Sequence, residues 1–236
     1  AAFVRILSES FPDKKILAVD ADPAIGLSMA LQMQPSLTLD DIRVQITENI
    51  ERGKTTEAIE LLSEARFHLL DSVVEKDNIS FLAIGRPEAA GCYCKVNAYL
   101  KQVIEMLCEN YDFVVIDGEA GIEQINRRVM EKVTHLLLIT DASKKGTQVI
   151  STIKDVADEL VMYKKIGAIV NRIPDQSVIE FIDTNGIPVL SYIETDKNLA
   201  IYDIEGKNIF NLPDDSNVVN GALEALKAME IIKDEI

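Results

Sequence analysis

The feature that most constrains this chain is an alternation. Short, uninterrupted apolar runs are separated by longer stretches of helical periodicity. The runs are Ile16–Asp20, Ile79–Ile84, Phe113–Asp117, His135–Thr140, Ile166–Val170 and Ile187–Ser191. A strand with one face in water alternates apolar and polar residues, whereas a strand covered on both faces stays apolar throughout. Helical patterns are clearest at Thr55–Glu75, Asn97–Asn110, Gly146–Tyr163, Asp175–Asn185 and Ser216–Lys233. This order implies an α/β fold, a doubly wound, mostly parallel sheet flanked by helices. With 236 residues, 47% of them hydrophobic, a single domain over residues 1–236 is expected. In such sheets ligands bind beyond the carboxyl ends of the strands, so the residues that follow each run are the informative ones.

Several function classes are disfavoured. No apolar run approaches the roughly 18–20 residues of a membrane helix. The opening AAFVRILSES is too short and too polar for a secretory signal. A net charge of −15 repels phosphate backbones, so no nucleic-acid partner is expected. Cys92, Cys94 and Cys108 are the only cysteines, an odd, low count that points to a reducing compartment and a cytoplasmic protein. Ala1, Ala2, Phe3, Ile6 and Leu7 read as the later turns of an amphipathic helix with no N-cap before them.

The strand ends carry the candidate chemistry. The first run closes with Asp20-Ala21-Asp22-Pro23. Asp and Pro are common turn formers, but a carboxylate here also suits a group that touches a magnesium-bound water or orients an attacking water, as phosphoryl transfer requires. Phe113-Val114-Val115-Ile116-Asp117 has the Walker B pattern, four apolar residues and then a hard oxygen ligand. Gly118 and Gly121 would let the next loop approach a γ-phosphate. Asn171-Arg172 follows the fifth run, and a side-chain amide can both donate to and accept from an adenine edge. Cys92-Tyr93-Cys94 follows Gly91 in a loop between strand and helix. Two thiolates one residue apart supply only two ligands of a tetrahedral site, which a two-fold dimer would complete; a redox pair or incidental cysteines are the alternatives. Cys108, His68 and His135 read as structural.

Together, ILAVDADP, DFVVIDGEAGIEQINR, TDASKKGTQVISTIKDV, IVNRIP and NLPDDSNVV resemble the P-loop ATPase family that contains MinD, ParA and nitrogenase iron protein. GCYCKVNAYLK and DGEAGIE are similar to its branch of nickel-insertion accessory ATPases of carbon monoxide dehydrogenase. The resemblance implies a P-loop NTPase fold and a homodimer that closes around two ATP molecules with Mg²⁺. It implies that Asp22 orients the attacking water, that Asp117 is the Walker B carboxylate, and that Asn171 contacts adenine. Asp20, Gly118 and Arg172 fall among the nucleotide-binding positions, and no role attaches to Lys144 or Lys145. Cys92 and Cys94 would bind Zn²⁺ or Ni²⁺ across the two-fold axis, with a carbon monoxide dehydrogenase-like enzyme as client. A membrane-targeting helix is not expected, because GALEALKAMEIIKDEI lacks a basic face.

One departure is large. The family's KGGxGKT loop, which cradles the phosphates, does not occur in this sequence. Gly53-Lys54-Thr55-Thr56 imitates its end, but no strand or upstream glycine precedes it. The expectation is that the natural protein carries roughly ten to twenty further residues upstream, supplying that loop and a strand beside the Walker B strand. Without the loop, ATP hydrolysis is doubtful. Two other functions fit the residues less well. One is a ParA- or MinD-like positioning ATPase, and the other is a truncated scaffold that only dimerises or binds metal.

Overall fold

The computed structural model describes residues 1–22, 26–85, 94–118 and 132–233. They fall into two compact units, Phe11–Met130 and Ala1–Ser10 with Glu131–Ile236. The chain opens with α1 (Ala2–Ser10), which belongs to the second unit.

The first unit contains β1 (Ile16–Asp20), α2 (Gly26–Leu31), α3 (Leu39–Glu51), α4 (Thr55–Ser72), β2 (Val74–Lys76), β3 (Ile79–Ala83), α5 (Cys94–Cys108) and β4 (Phe113–Asp117). Its four-stranded sheet has the order β2-β3-β1-β4. β1 runs parallel to both β3 and β4, while β2 pairs antiparallel with β3. Every residue of β1 and β3 is buried, as expected for strands with neighbours on both edges and helices on their faces. β4 has one strand partner among the described residues, and Phe113–Ile116 are only half-buried. Leu17, Val19 and Leu82 from the strands, with Ile84 just past β3, pack against Ile42 and Ile46 of α3, Leu69 of α4, and Val103, Ile104 and Leu107 of α5. Each such side chain contributes roughly 1.5–3 kcal/mol through burial.

The second unit holds α1, β5 (His135–Asp141), α6 (Lys144–Leu160), β6 (Lys165–Ile173), a 3-10 turn (Gln176–Phe181), β7 (Val189–Glu194), α7 (Lys197–Glu205), a 3-10 turn (Ile209–Asn211) and α8 (Asn217–Ala228). Its three strands are parallel, in the order β5-β6-β7. Arg5 of α1 is buried and fastens the segment before α8. Its guanidinium donates to the carbonyls of Leu212 (2.6 Å) and Ile209 (3.4 Å) and pairs with Asp214. No helix among the described residues is long and apolar enough to cross a membrane.

The α/β fold class and the mostly parallel sheet are as the sequence implied, but several boundaries differ for local reasons. The Thr55–Glu75 pattern ends at Ser72, because Val73 is extended and leads into β2. Asp77, at φ 55°, then turns the chain back into β3. Asp175–Asn185 forms only the short 3-10 turn: Asp183 accepts from the Asn185 N–H at 2.8 Å, and Asn185 lies in the left-handed region at φ 53°. The last run shifts from Ile187–Ser191 to Val189–Glu194, because Ile187 is buried in a turn held by the Thr184 hydroxyl at 2.7 Å. α6 begins at Lys144, two residues before the sequence pattern, because Ser143 caps it by accepting from the Gly146 N–H at 2.9 Å. Three helices escaped the sequence reading: α2, α3 and α7.

Candidate functional site

The register of the first sheet places Asp20 and Asp117 side by side at the carboxyl ends of neighbouring parallel strands. The pairing continues one step further, where the Ala21 N–H donates to the Asp117 carbonyl at 2.8 Å. The two carboxylates differ in setting. Asp20 is fully buried, and its oxygens accept from the Asp22 N–H at 3.1 Å and the Leu27 N–H at 2.9 Å. It therefore ties the end of β1 to the start of α2. Asp117 and Gly118 are exposed, and Asp22 is half-buried beyond the strand end. One sequence pattern thus yields an anchored carboxylate and a presented one.

Burial is the largest influence on Asp20 and lifts its carboxyl above the ordinary 3.8. The N–H groups of Asp22 and Leu27 pull the other way, and the charge of Asp117 adds to the rise. A raised native value means that the fold prefers the protonated acid. The associated stability is present below the unfolded value and is lost as pH rises through the native one. Carbon-13 NMR of the Asp20 carboxyl is expected to show a midpoint above 3.8. In Asp117→Asn that midpoint moves down yet stays raised, because burial remains. A midpoint at or below the ordinary value would contradict this account of the strand tip.

The second unit brings together another set of strand ends. Asp141 at the end of β5 lies opposite Asn171 of β6. Asn171 Oδ1 accepts from the Arg172 N–H at 2.9 Å, which leaves the amide NH₂ as the group available to a ligand. Arg172 is exposed and left-handed, at φ 59°, next to a register shift between Asn171 and Ile173. A non-glycine residue in this region costs about 1–2 kcal/mol, which neighbouring contacts must offset. The Asp141 carboxyl is held below its usual range, first by the Ser143 hydroxyl (2.5 Å) and N–H (2.9 Å), and also by the Arg172 charge. Sequence reasoning passed over Asp141. The available signal was Asp-x-Ser closing an apolar run, an arrangement that holds the start of a helix.

No protein-family model matches the chain. An uncharacterized ATP-binding protein of Methanocaldococcus jannaschii is 34% identical over 223 residues, covering 92% of this chain and 88% of its own. The carbon monoxide dehydrogenase accessory protein CooC of Rhodospirillum rubrum is 24% identical over 225 residues, covering 90% and 85%. Among solved structures, the septum site-determining protein MinD of Pyrococcus horikoshii, complexed with Mg-ADP, superposes with a TM-score of 0.64 at 21% identity, covering 99% of this chain and 88% of that one. The chain belongs to the family of that Methanocaldococcus jannaschii ATP-binding protein, and its fold is that of the MinD/ParA P-loop ATPases.

The residues present fit a magnesium ion of the kind bound with ADP in the Pyrococcus horikoshii MinD structure. Asp117 offers hard carboxylate oxygens at an exposed strand tip, the donor type Mg²⁺ takes directly or through water. Asp20 already accepts backbone N–H groups on both oxygens and has only its remaining lone pairs to offer. Cys92 lies outside the described residues, as does the side chain of Cys94, the first residue of α5. Among the described residues, no cluster of three or more His, Cys, Asp or Glu side chains could hold a metal ion. Cys108 is buried, and burial pushes its thiol up to about 11, so it remains a packed, protonated side chain. Lys144 and Lys145 occupy the first turn of α6 and are exposed.

Proposed function

We propose that the protein is a Mg²⁺-dependent ATPase that works in the cytoplasm as a nucleotide-gated homodimer and handles a metal cargo for a client metalloenzyme of the carbon monoxide dehydrogenase kind. The observation that carries the ATPase reading is the Asp20–Asp117 pair at adjacent parallel strand tips, one buried and one presented, in a family of ATP-binding proteins. In this reading Asp117 would hold Mg²⁺ through its carboxylate oxygens and Asp22 would orient the attacking water. Asp20 keeps the start of α2 against the strand tip, and Gly118 gives the following loop room to respond to the γ-phosphate. The metal, when bound with ATP, supplies positive charge against the phosphate oxygens. Asn171 donates its free amide N–H to the adenine, and Arg172 stands beside it.

The cargo reading rests on Cys92-Tyr93-Cys94 together with the likeness to CooC. Two thiolates per chain, paired across a two-fold axis, make a Cys₄ set for Zn²⁺ or Ni²⁺. Elemental analysis of the full-length protein is expected to find about one metal ion per dimer. Cys92→Ala with Cys94→Ala abolishes that metal and leaves ATP binding intact. Metal content unchanged in the double variant would remove the cargo role and leave the ATPase reading standing.

A further inference from the structure

The base contact proposed above has one side chain, Asn171, and that side chain presents only one kind of group. Its Oδ1 accepts from the Arg172 N–H at 2.9 Å, which fixes the two ends of the amide. No hydrogen bond among the described residues engages Nδ2, a donor. Adenine shows a ring-nitrogen acceptor and an amino donor side by side. A complete reading of that edge needs an acceptor next to Asn171.

Asp141 of β5 is the register partner of Asn171. Partners in a parallel pair project to one face of the sheet, on strands about 4.8 Å apart. Both donors of Ser143, the hydroxyl and the N–H, go to Asp141 Oδ1. No hydrogen bond among the described residues engages Oδ2. A Cβ on Gly146 would lie 2.4 Å from Oδ1, so the carboxylate is seated where glycine leaves room for it. Asp141 is exposed and Asn171 half-buried, so both are within reach of a ligand.

The neighbours do not supply the same acceptor. On its other edge Asn171 pairs with Ile193, which is apolar and buried. Glu194 accepts from Gln176 Nε2 at 2.8 Å, and Asp196 from the N–H groups of Leu199 and Val218. The cations at this end, Arg172, Lys144 and Lys145, are exposed, and none forms an ion pair with Asp141 among the described residues. Arg172 acts on Asp141 through charge at longer range.

We propose that Asp141 is a second base-reading residue: its Oδ2 accepts from the exocyclic amino group of adenine, while Asn171 Nδ2 donates to the ring nitrogen beside that group. This rests on the reading of Asn171 as the adenine contact. Guanine carries a carbonyl oxygen in place of that amino group, which faces a carboxylate unfavourably. It could satisfy the pair only through its other edge, O6 with N1–H, so the test includes GTP.

Calorimetric titration of the full-length protein compares ATP with GTP and with purine riboside triphosphate, which has hydrogen where ATP has the amino group. Wild type is expected to bind ATP roughly tenfold or more tightly than either, the worth of one hydrogen bond to a charged group. In Asp141→Asn the Ser143 N–H keeps the amide oxygen at the Oδ1 position, which puts an NH₂ donor where Oδ2 was. ATP binding then weakens and its advantage over purine riboside triphosphate disappears, while affinity for that analogue stays within a few-fold. A purely structural role for Asp141 would weaken both nucleotides alike. Gly146→Ala moves the carboxylate with its charge intact and is expected to narrow the same ratio. Circular dichroism and melting of both variants are compared with wild type. ATP binding with no preference over either comparison nucleotide, or a preference over the analogue that survives in Asp141→Asn, would overturn the role of Asp141 and leave the ATPase reading standing. Absence of ATP binding by wild type would remove that reading, and this role with it.

Discussion

Asp117→Asn is expected to cut ATP hydrolysis by the full-length protein roughly 100- to 1000-fold, about 3–4 kcal/mol of transition-state stabilisation. The substitution keeps side-chain size and removes one negative charge at an exposed position. It therefore takes away the oxygen charge that suits a hydrated Mg²⁺ without creating a cavity. Fold stability should be unchanged or slightly higher, because the charge facing buried Asp20 disappears with it. Steady-state phosphate release measured beside urea denaturation checks both halves. A hydrolysis rate within a few-fold of wild type would show that Asp117 does not serve the metal.

Arg5→Ala is expected to have the largest effect on stability, about 2–4 kcal/mol. Arg5 is 3% exposed, and its donors reach two carbonyls, Leu212 and Ile209, together with the carboxylates of Glu9 (2.8 Å) and Asp214. The ion pairs themselves contribute little, since Asp214 is 91% and Glu9 51% exposed, and water screens them. The cost lies in the Leu212 carbonyl that loses its 2.6 Å donor, the Ile209 carbonyl keeping the Leu212 N–H, and in the lost packing of a buried side chain. For a chain of this size the loss corresponds to roughly a 5–15 °C fall in melting temperature. Arg5→Lys recovers only part of it, because a lysine head cannot serve all these acceptors in the planar fork that arginine offers. Thermal denaturation of both variants decides the matter; an unchanged midpoint for Arg5→Ala would mean that α1 is not held by this residue.

Much of the fold was legible because the buried parallel strands state themselves. β1 and β4 begin and end where their apolar runs do, each stopped by an Asp. The misplaced elements are those set by single side-chain contacts. The start of α6 depends on the Ser143 hydroxyl, and the late start of β7 on the turn that buries Ile187. α3 had a readable marker that went unused. Thr38 accepts from the Asp41 N–H while Asp41 accepts from the Thr38 N–H, a capping box written in the sequence as Thr-x-x-Asp. α7 buries no residue, so no apolar stripe announced it. At the candidate site the residue types were legible, but the division of labour between Asp20 and Asp117 was not. Which carboxylate is anchored depends on the N–H of Leu27, seven residues away, and that contact exists only once α2 has formed.

The most direct measurement of the central claim is calorimetric titration of the full-length protein with ATP, in the presence and absence of Mg²⁺. Saturable binding of one nucleotide per chain is expected, tighter when Mg²⁺ is present and without that Mg²⁺ dependence in Asp117→Asn. Binding that ignores both Mg²⁺ and the Asp117 substitution, or no binding at all, would contradict it.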